Sequence, residues 1–433
     1  MALALVSGCG DDLPPQDVSG SSSTSSPDPD TGSGDGTGTG TGPITEGTGD
    51  DGSSDGGTGV PAPELGATPN VLCEAAVAEL QIVIDHNASG APDPMAIAEA
   101  YLGPEGEGTA LQQMVQTYGG LLGRVEDGVL IDDAAILDAL AAGTPEAMID
   151  VETRVVLVIS QLVRARTAEV AGSQPDVDRD PALLYALWDD AYCYFDAVVR
   201  PHAQAADALG GELEPIEADM QHGFEWGHGG IMGPEASFAI DEWSVPAAKQ
   251  VVEKSMFRAY DRLVVELAAQ AQATGDPLLA RRALGLFQVL EDRLLGRNTP
   301  GVDLIEADLG GDPSLIDPAI IRHELDIAWA KRVRRYCSHA IDDDTTGTPS
   351  GHTGGNEGRT YAKVIIPTME AMLDGFDGAT HLQHWDAWIE AIEADDAVAA
   401  QAASDLLVPP VCELQGLLGI AECTGSEDQP PPG

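Results

Sequence analysis

Basic side chains are scarce in this sequence. Its 21 Lys and Arg residues stand against 72 Asp and Glu, which gives a net charge of −51. No basic residue lies before Arg124 or after Lys363. An acidic surface of this kind repels the phosphates of nucleic acids and of anionic lipid headgroups, so neither is expected as a partner. The excess of acidic residues also favours solubility, and by itself it indicates no activity.

Other signals are missing as well. No apolar run reaches the roughly eighteen residues that a membrane-spanning helix needs. The sequence has none of the GxSxG, HExxH, EF-hand or P-loop spacings, and no CxxC pair. These absences argue against haem attachment, zinc fingers and the common catalytic classes. We therefore expect a binding or scaffold protein rather than an enzyme.

The first residues indicate a location. Val6-Ser7-Gly8-Cys9 resembles the bacterial lipobox, in which an apolar and two small residues precede the cysteine that is lipidated. This resemblance implies that Cys9 anchors the protein to a membrane of the cell envelope, on the outer membrane or cell surface. Residues 1–9 form an incomplete signal peptide, because the apolar stretch is short and no basic residue precedes it. We interpret this as a start codon assigned too far downstream; the alternative is a chance cysteine.

Residues 10–66 have the composition of a linker. Gly, Ser, Thr, Asp and Pro dominate the segment, which includes four glycines alternating with threonine at 36–42. It contains too little apolar surface to offset the entropy of ordering, so we expect it to be disordered. A coil of this length spans about 40–45 Å, enough to hold a domain clear of a membrane.

The rest of the chain predicts helices nearly throughout. Apolar residues recur at helical spacing at 71–83 and 155–163, in runs rich in Ala, Leu, Glu and Arg. Clusters of Gly and Pro predict breaks at 90–94, 103–108, 143–145, 275–277 and 345–358. We expect an all-α protein with a first helical bundle (67–235), a second helical bundle (236–423) and a disordered tail (424–433).

An internal repeat supports two bundles. Asp180-Pro-Ala-Leu-Leu184 matches Asp317-Pro-Ala-Ile-Ile321, and the alignment continues without gaps so that Asp189 corresponds to Asp326. Asp caps a helix and Pro suits its first turn, so the copies could share only a good helix start. A similar helix ahead of each copy favours duplicated bundles of antiparallel helices.

Apart from Cys9, the chain has five cysteines. An exported domain tends to oxidise them, which would leave one thiol unpaired. Spacing does not determine the pairing. The disulfide candidates are Cys73, Cys193, Cys337, Cys412 and Cys423.

The densest group of potential metal ligands lies at 219–228. Asp219 and His222 are three residues apart, as are Glu225 and His228, and this spacing places a carboxylate and an imidazole on one helical face. Such a set suits one divalent transition metal: iron, zinc or copper. Glycines at 223, 227, 229 and 230 predict that the helix ends within the segment. The alternative is a loop between bundles whose histidines are only solvated.

The same segment has a family resemblance. His222-Gly-Phe-Glu225 is similar to part of the Gly-x-His-x-x-Glu motif of the imelysin-like family of exported bacterial proteins, with Met220 at the position of the glycine. The resemblance implies two duplicated helical bundles and a metal-associated or iron-uptake-linked surface protein, of a kind classed historically as a peptidase. It implies a ligand role for His222 and Glu225.

Three further features carry weaker signals. His381 and His384 alternate with Trp385 and Trp388 at helical spacing, a pattern more typical of a core than of a ligand surface. The basic residues at 331–335 are expected to pair with the acidic excess, with an acidic glycan as the minor option. His352 is expected in a flexible glycine-rich loop.

The sequence therefore favours one function over two others. The expected function is a lipid-anchored exported protein whose helical domain binds a small ligand, an envelope protein or a metal. A helical scaffold without metal is the first alternative, and a metal-dependent hydrolase is the second.

Overall fold

The structure, a computed structural model, describes residues 63–126, 128–173, 181–211, 213–231 and 241–425. The lipobox with Cys9, the linker up to residue 62 and residues 426–433 of the predicted tail lie outside these ranges. Helices make up most of the described part, so the predicted all-α class is confirmed. No helix in the described ranges has both the length and the apolar character needed to cross a bilayer.

The described helices are numbered in chain order. They are α1 (Val71–Ala88), α2 (Pro94–Leu102), α3 (Ala110–Leu121), α4 (Ile131–Ala142), α5 (Pro145–Ala171), α6 (Pro181–Tyr194), α7 (Arg200–Asp207), α8 (Ile216–Gly229), α9 (Ser244–Thr274), α10 (Pro277–Leu294), α11 (Thr299–Leu309), α12 (Pro318–Tyr336), α13 (His339–Asp342), α14 (Pro349–Met372), α15 (Gly378–Glu393) and α16 (Ala397–Leu417). A π-helical turn (Phe195–Val199), a 3-10 turn (Pro313–Leu315) and an antiparallel hairpin of β1 (Val125–Glu126) and β2 (Val129–Leu130) complete the described elements.

Helix starts follow the capping residues of the sequence. The Asp317 carboxylate accepts the backbone N–H of Ala319 at 3.0 Å, and Pro318 occupies the first turn of α12. The Thr348 hydroxyl accepts the N–H of Gly351 at 3.2 Å at the start of α14. The predicted breaks at 90–94, 103–108, 143–145 and 275–277 fall between helices. The break predicted at 345–358 is wrong beyond residue 348, because α14 begins at Pro349.

Helix α9 is the centre of the packing. It contacts α5, α7, α8, α10, α12 and α14, and most of its residues up to Val264 are buried. One continuous apolar core includes residues from α1 to α16. Helices α8 and α9 lie on either side of the boundary proposed at 235/236 and pack against each other. The division into 67–235 and 236–423 stays a prediction.

The sequence repeat corresponds to two helices. α6 begins at Pro181 and α12 at Pro318, and the aligned Asp189 and Asp326 are both buried. The helices that precede the two copies are connected to them differently. α5 is the last helix before α6, whereas α10 and α11 lie between α9 and α12.

Two disulfides are present in the described part of the chain. Cys73 on α1 bonds to Cys193 on α6, with 6.5 Å between their Cα atoms, and Cys412 bonds to Cys423. Cys337 is free and buried, and burial raises the pKa of its thiol to about 12. The thiol is therefore neutral and unreactive in the folded protein.

Both ends of the described chain are held in place. The Asp189 carboxylate accepts the backbone N–H groups of Gly66 at 2.8 Å and Thr68 at 3.0 Å. At the other end, the Gln415 side chain accepts the N–H of Thr424 at 2.9 Å and donates to its carbonyl at 2.8 Å. The folded part thus includes Gly66 of the predicted linker (10–66) and Thr424 of the predicted tail (424–433).

A buried ion cluster lies at the centre of the helix packing. The Glu253 carboxylate on α9 forms ion pairs with four basic side chains: Arg164 at 2.9 Å, Lys249 at 2.6 Å, Lys254 at 3.3 Å and Arg293 at 3.0 Å. Burial alone raises the pKa of a carboxyl, but the four cations outweigh burial and hold the pKa of Glu253 well below its ordinary value. Glu253 is thus ionised at neutral pH and links α5, α9 and α10.

Candidate ligand-binding site

Helix α8 carries the predicted metal ligands and is continuous through Gly229. The prediction that its glycines end the helix is wrong for Gly223 and Gly227, which serve close helix packing, whereas α8 does end at Gly229 with Gly230 as its C-cap. A Cβ atom built on Gly227 would lie 2.1 Å from the ring of Trp188. One built on Gly223 would lie 2.8 Å from Val252 of α9. Glycine lowers helix propensity, but at these positions it lets the neighbouring helices approach.

The four predicted ligands point in different directions from α8. Successive members are three residues apart, so each is displaced by about 60° around the helix. Asp219 and His228 consequently face opposite sides. The predicted set spans half the circumference of the helix instead of converging on one point.

Asp219 is engaged by basic residues. Its carboxylate accepts hydrogen bonds from Arg258 at 3.0 Å and from Lys363 at 2.7 Å. Glu214 joins the same cluster through Lys363 and Arg359. Burial raises the pKa of Glu214, but the two cations outweigh it and lower the pKa to about 2. Asp219 therefore serves to join α8 to α9 and α14.

The other three candidates lie in different environments. His228 is buried against Tyr185, with 4.8 Å between ring centroids, and burial lowers the pKa of its imidazole. Glu225 is exposed and accepts a hydrogen bond from Gln221 at 2.6 Å. His222 is exposed and stacks on Trp226 at 6.0 Å.

Nowhere in the described ranges do three His, Cys, Asp or Glu side chains form a group that could hold a metal ion. The described geometry thus lends no support to a metal at Asp219, His222, Glu225 and His228.

A different set of side chains does come together beside α8. The ring of Trp226 meets the ring of His352 at a centroid distance of 6.1 Å and an angle of 89°. Trp243, just ahead of α9, lies 5.4 Å from the same imidazole at 53°. We call the group formed by His222, Trp226, Trp243, His352 and Glu393 the tryptophan–histidine surface.

These two tryptophans differ from the other four in the sequence. Trp226 and Trp243 are half-buried. The others are fully enclosed in the core: Trp188, Trp329, Trp385 and Trp388. The two accessible indoles of the chain therefore contact one and the same histidine.

His352 is rigidly placed. Its Nδ1 lies 3.2 Å from the Trp243 carbonyl oxygen, which can only accept, so Nδ1 carries a hydrogen. Its Nε2 lies 3.1 Å from the Asn356 amide and 2.8 Å from the Glu393 carboxylate. The expectation of a flexible loop at His352 is wrong, because the residue lies in the first turns of α14 and is 3% exposed.

Helix ends position this surface. The Asp241 carboxylate accepts the N–H of Trp243 at 3.0 Å and so fixes the start of α9. The N–H of Gly347, just before α14, donates to the carbonyl of Ile392 at 2.8 Å. The starts of α9 and α14 and the end of α15 thus meet where His352 lies.

The electrostatics of His352 combine burial with nearby acceptors. Burial lowers the pKa of His352, and the Glu393 carboxylate, the Trp243 carbonyl and Asp241 act in the opposite direction without cancelling it. In the described part of the chain no hydroxyl or thiol hydrogen-bonds to His352. The imidazole therefore has no nucleophile to activate there.

Three further sequence candidates, His381, Lys331 and Arg332, make contacts within the fold. His381 is buried, and its Nε2 accepts a hydrogen bond from Trp385 at 3.3 Å, as expected of a core pair. Lys331 donates to the carbonyl of Arg297 at 2.6 Å and Arg332 to that of Arg293 at 2.7 Å. These bonds stabilise the end of α10, where cations complement the exposed carbonyls.

Sequence reasoning missed Trp243, Asn356 and Glu393. One signal was available: Thr348-Pro349 is a typical helix start, and it predicts that His352 lies within a helix. The contact between His352 and Trp243 has no comparable signal, because 109 residues separate them.

Comparison of the chain with protein-family models, curated proteins and solved structures finds no match. The lipobox and the imelysin-like motif thus remain resemblances drawn from the sequence.

Proposed function

We propose that the protein is an exported, lipid-anchored binding protein that takes a small ligand at the tryptophan–histidine surface. The observation that carries this proposal is the convergence of Trp226 and Trp243 on His352. Accessible aromatic rings around fixed polar groups are typical of ligand sites. The rigid attachment of His352 to Trp243 and Glu393 means that such a site is formed before the ligand arrives.

The disulfides support an exported location. Cys73–Cys193 and Cys412–Cys423 suit an oxidising compartment, because cytosolic thiols are normally kept reduced. The lipobox at Cys9 and the Gly/Ser-rich segment behind it suit a domain tethered to a membrane.

Anchoring is tested by labelling. The protein, expressed behind a complete signal peptide, is expected to incorporate a fatty-acid probe and to enter the detergent phase on partitioning. The Cys9→Ala variant is expected to lose both properties. Labelling of that variant would contradict the anchor.

Ligand binding is tested by tryptophan emission. Small solutes of positive, negative and neutral charge are titrated into the protein, and a ligand at this surface is expected to change its fluorescence. The change should disappear in the Trp226→Phe/Trp243→Phe variant, in which the four buried tryptophans remain. If no solute gives a change that depends on these two residues, the surface is not a ligand site.

A further inference from the structure

We infer that the tryptophan–histidine surface selects a small organic cation, such as a quaternary or protonated amine. This inference rests on the proposed function, since it concerns the same surface, and adds the class of ligand.

The aromatic geometry favours a cation. The face of an indole ring carries negative electrostatic potential and attracts an ammonium group within about 6 Å. Trp226 is perpendicular to His352, and Trp243 is tilted by 53° to the same ring. Both indoles are half-buried and lie beside the same imidazole, so each leaves part of its ring accessible to a cation.

The charges around the surface also favour a cationic ligand. Glu393 lies against His352, and its side chain is 50% exposed, so one carboxylate oxygen remains available to a ligand. Asp241 also acts on His352 electrostatically. A chain with a net charge of −51 attracts cations over long distances and repels anions.

An organic cation suits this surface better than a metal ion. A metal ion needs a lone pair, and neither ring nitrogen of His352 offers a free one: Nδ1 carries a hydrogen, and Nε2 lies within hydrogen-bond distance of the Asn356 amide. A quaternary ammonium group needs no lone pair, because it interacts with ring faces and with carboxylate charge.

The experiment compares two molecules of equal shape and different charge. Choline and its neutral analogue 3,3-dimethylbutan-1-ol are titrated into the full-length protein by calorimetry and by tryptophan emission. Choline is expected to bind at least about tenfold more tightly, since the neutral analogue loses the cation–π attraction. Equal affinity for the two would overturn the inference and indicate an apolar site.

Variants locate the binding. Trp226→Leu and Trp243→Leu are each expected to weaken choline binding about tenfold, while Trp226→Phe retains part of it because an aromatic face remains. Circular dichroism and melting curves verify that each variant folds. Unchanged choline affinity in the folded Leu variants would mean nonspecific attraction to the acidic surface and would overturn the inference.

A matched pair on α15 tests the charge. Glu393→Gln is expected to weaken choline binding several-fold, whereas Glu390→Gln, which removes an exposed carboxylate one turn away, is expected to leave it unchanged. If only a neutral or anionic solute changes the emission through Trp226 and Trp243, the organic-cation inference fails while the proposed function stands. If no solute does so, both fail.

Discussion

Arg164 on α5 donates its Nε to Oε1 of Glu253 on α9 at 2.9 Å, although 89 residues separate them. Glu253 is 1% exposed, so this contact lies in the interior, where charges are costly unless they are paired. The carboxylate is shared with Lys249, Lys254 and Arg293. One acidic side chain thus pairs with basic groups from three helices.

We predict that Glu253→Gln destabilises the protein by about 3–5 kcal/mol, the usual cost of breaking a buried ion pair from one side. The amide keeps the shape of the side chain but leaves buried cations facing a neutral group. Urea unfolding at pH 7 measures the effect. Glu266→Gln on the same helix is the control, since Glu266 receives one exposed hydrogen bond from Gln270; its expected effect is within about 0.5 kcal/mol. A loss below about 1 kcal/mol for Glu253→Gln would contradict the prediction.

Alanine substitution at two glycines of α8 is expected to affect stability differently, with a loss at one position and no loss at the other. At Gly227 a Cβ meets the Trp188 ring at 2.1 Å, so Gly227→Ala should cost about 1–3 kcal/mol through overpacking. At Gly229 nothing lies within 4 Å of a Cβ, so Gly229→Ala should be neutral or stabilise by up to about 1 kcal/mol. Thermal melts of the two variants decide the matter, and equal shifts would refute the packing role of Gly227.

The α8 glycines also mark the limit of what sequence predicts. Helical periodicity and capping pairs such as Asp317-Pro318 predicted the all-α class and many helix boundaries, because these signals are local. Helix propensity predicts breaks at the glycines of α8 and α14, since it does not record a neighbour such as Trp188. The four metal candidates are neighbours in sequence but turn away from one another around the helix. The surface at His352 depends instead on contacts between distant helix ends, which local patterns do not encode.

The two disulfides are expected to contribute unequally to the stability of the folded protein. Cys73 and Cys193 are 120 residues apart, whereas Cys412 and Cys423 are 11 apart. In the chain-entropy account, stabilisation grows with the loop that a bond closes: about 4–5 kcal/mol for the long loop and about 3 kcal/mol for the short one. Paired Cys→Ser variants, unfolded in urea, should therefore lose more stability for Cys73/Cys193. The reverse order would contradict this entropic account.

Buried histidines predict a loss of stability in mild acid. Burial lowers the pKa of His202 and of His381 to about 4. As the pH falls from about 6.5 towards 4, the unfolded chain takes up protons that the folded chain refuses, so stability decreases in this window. The expected loss at pH 4.5 is about 2 kcal/mol for each ring.

The His381→Gln variant isolates one ring, because glutamine keeps an acceptor for Trp385 but does not titrate. Its unfolding free energy, measured in urea at pH 7 and at pH 4.5, should fall less than that of the wild-type protein. An equal fall in the two proteins would show that His381 is not responsible.

The hydrogen bonds from Gly66 and Thr68 to Asp189 have a mechanical consequence. A force applied to the chain ahead of residue 63 would first break these two hydrogen bonds and peel the residues in front of α1. Peeling stops at Cys73, where the covalent bond to Cys193 carries the tension directly into α6. The protein can therefore bear a load along its N-terminal direction without unravelling helix by helix from that end.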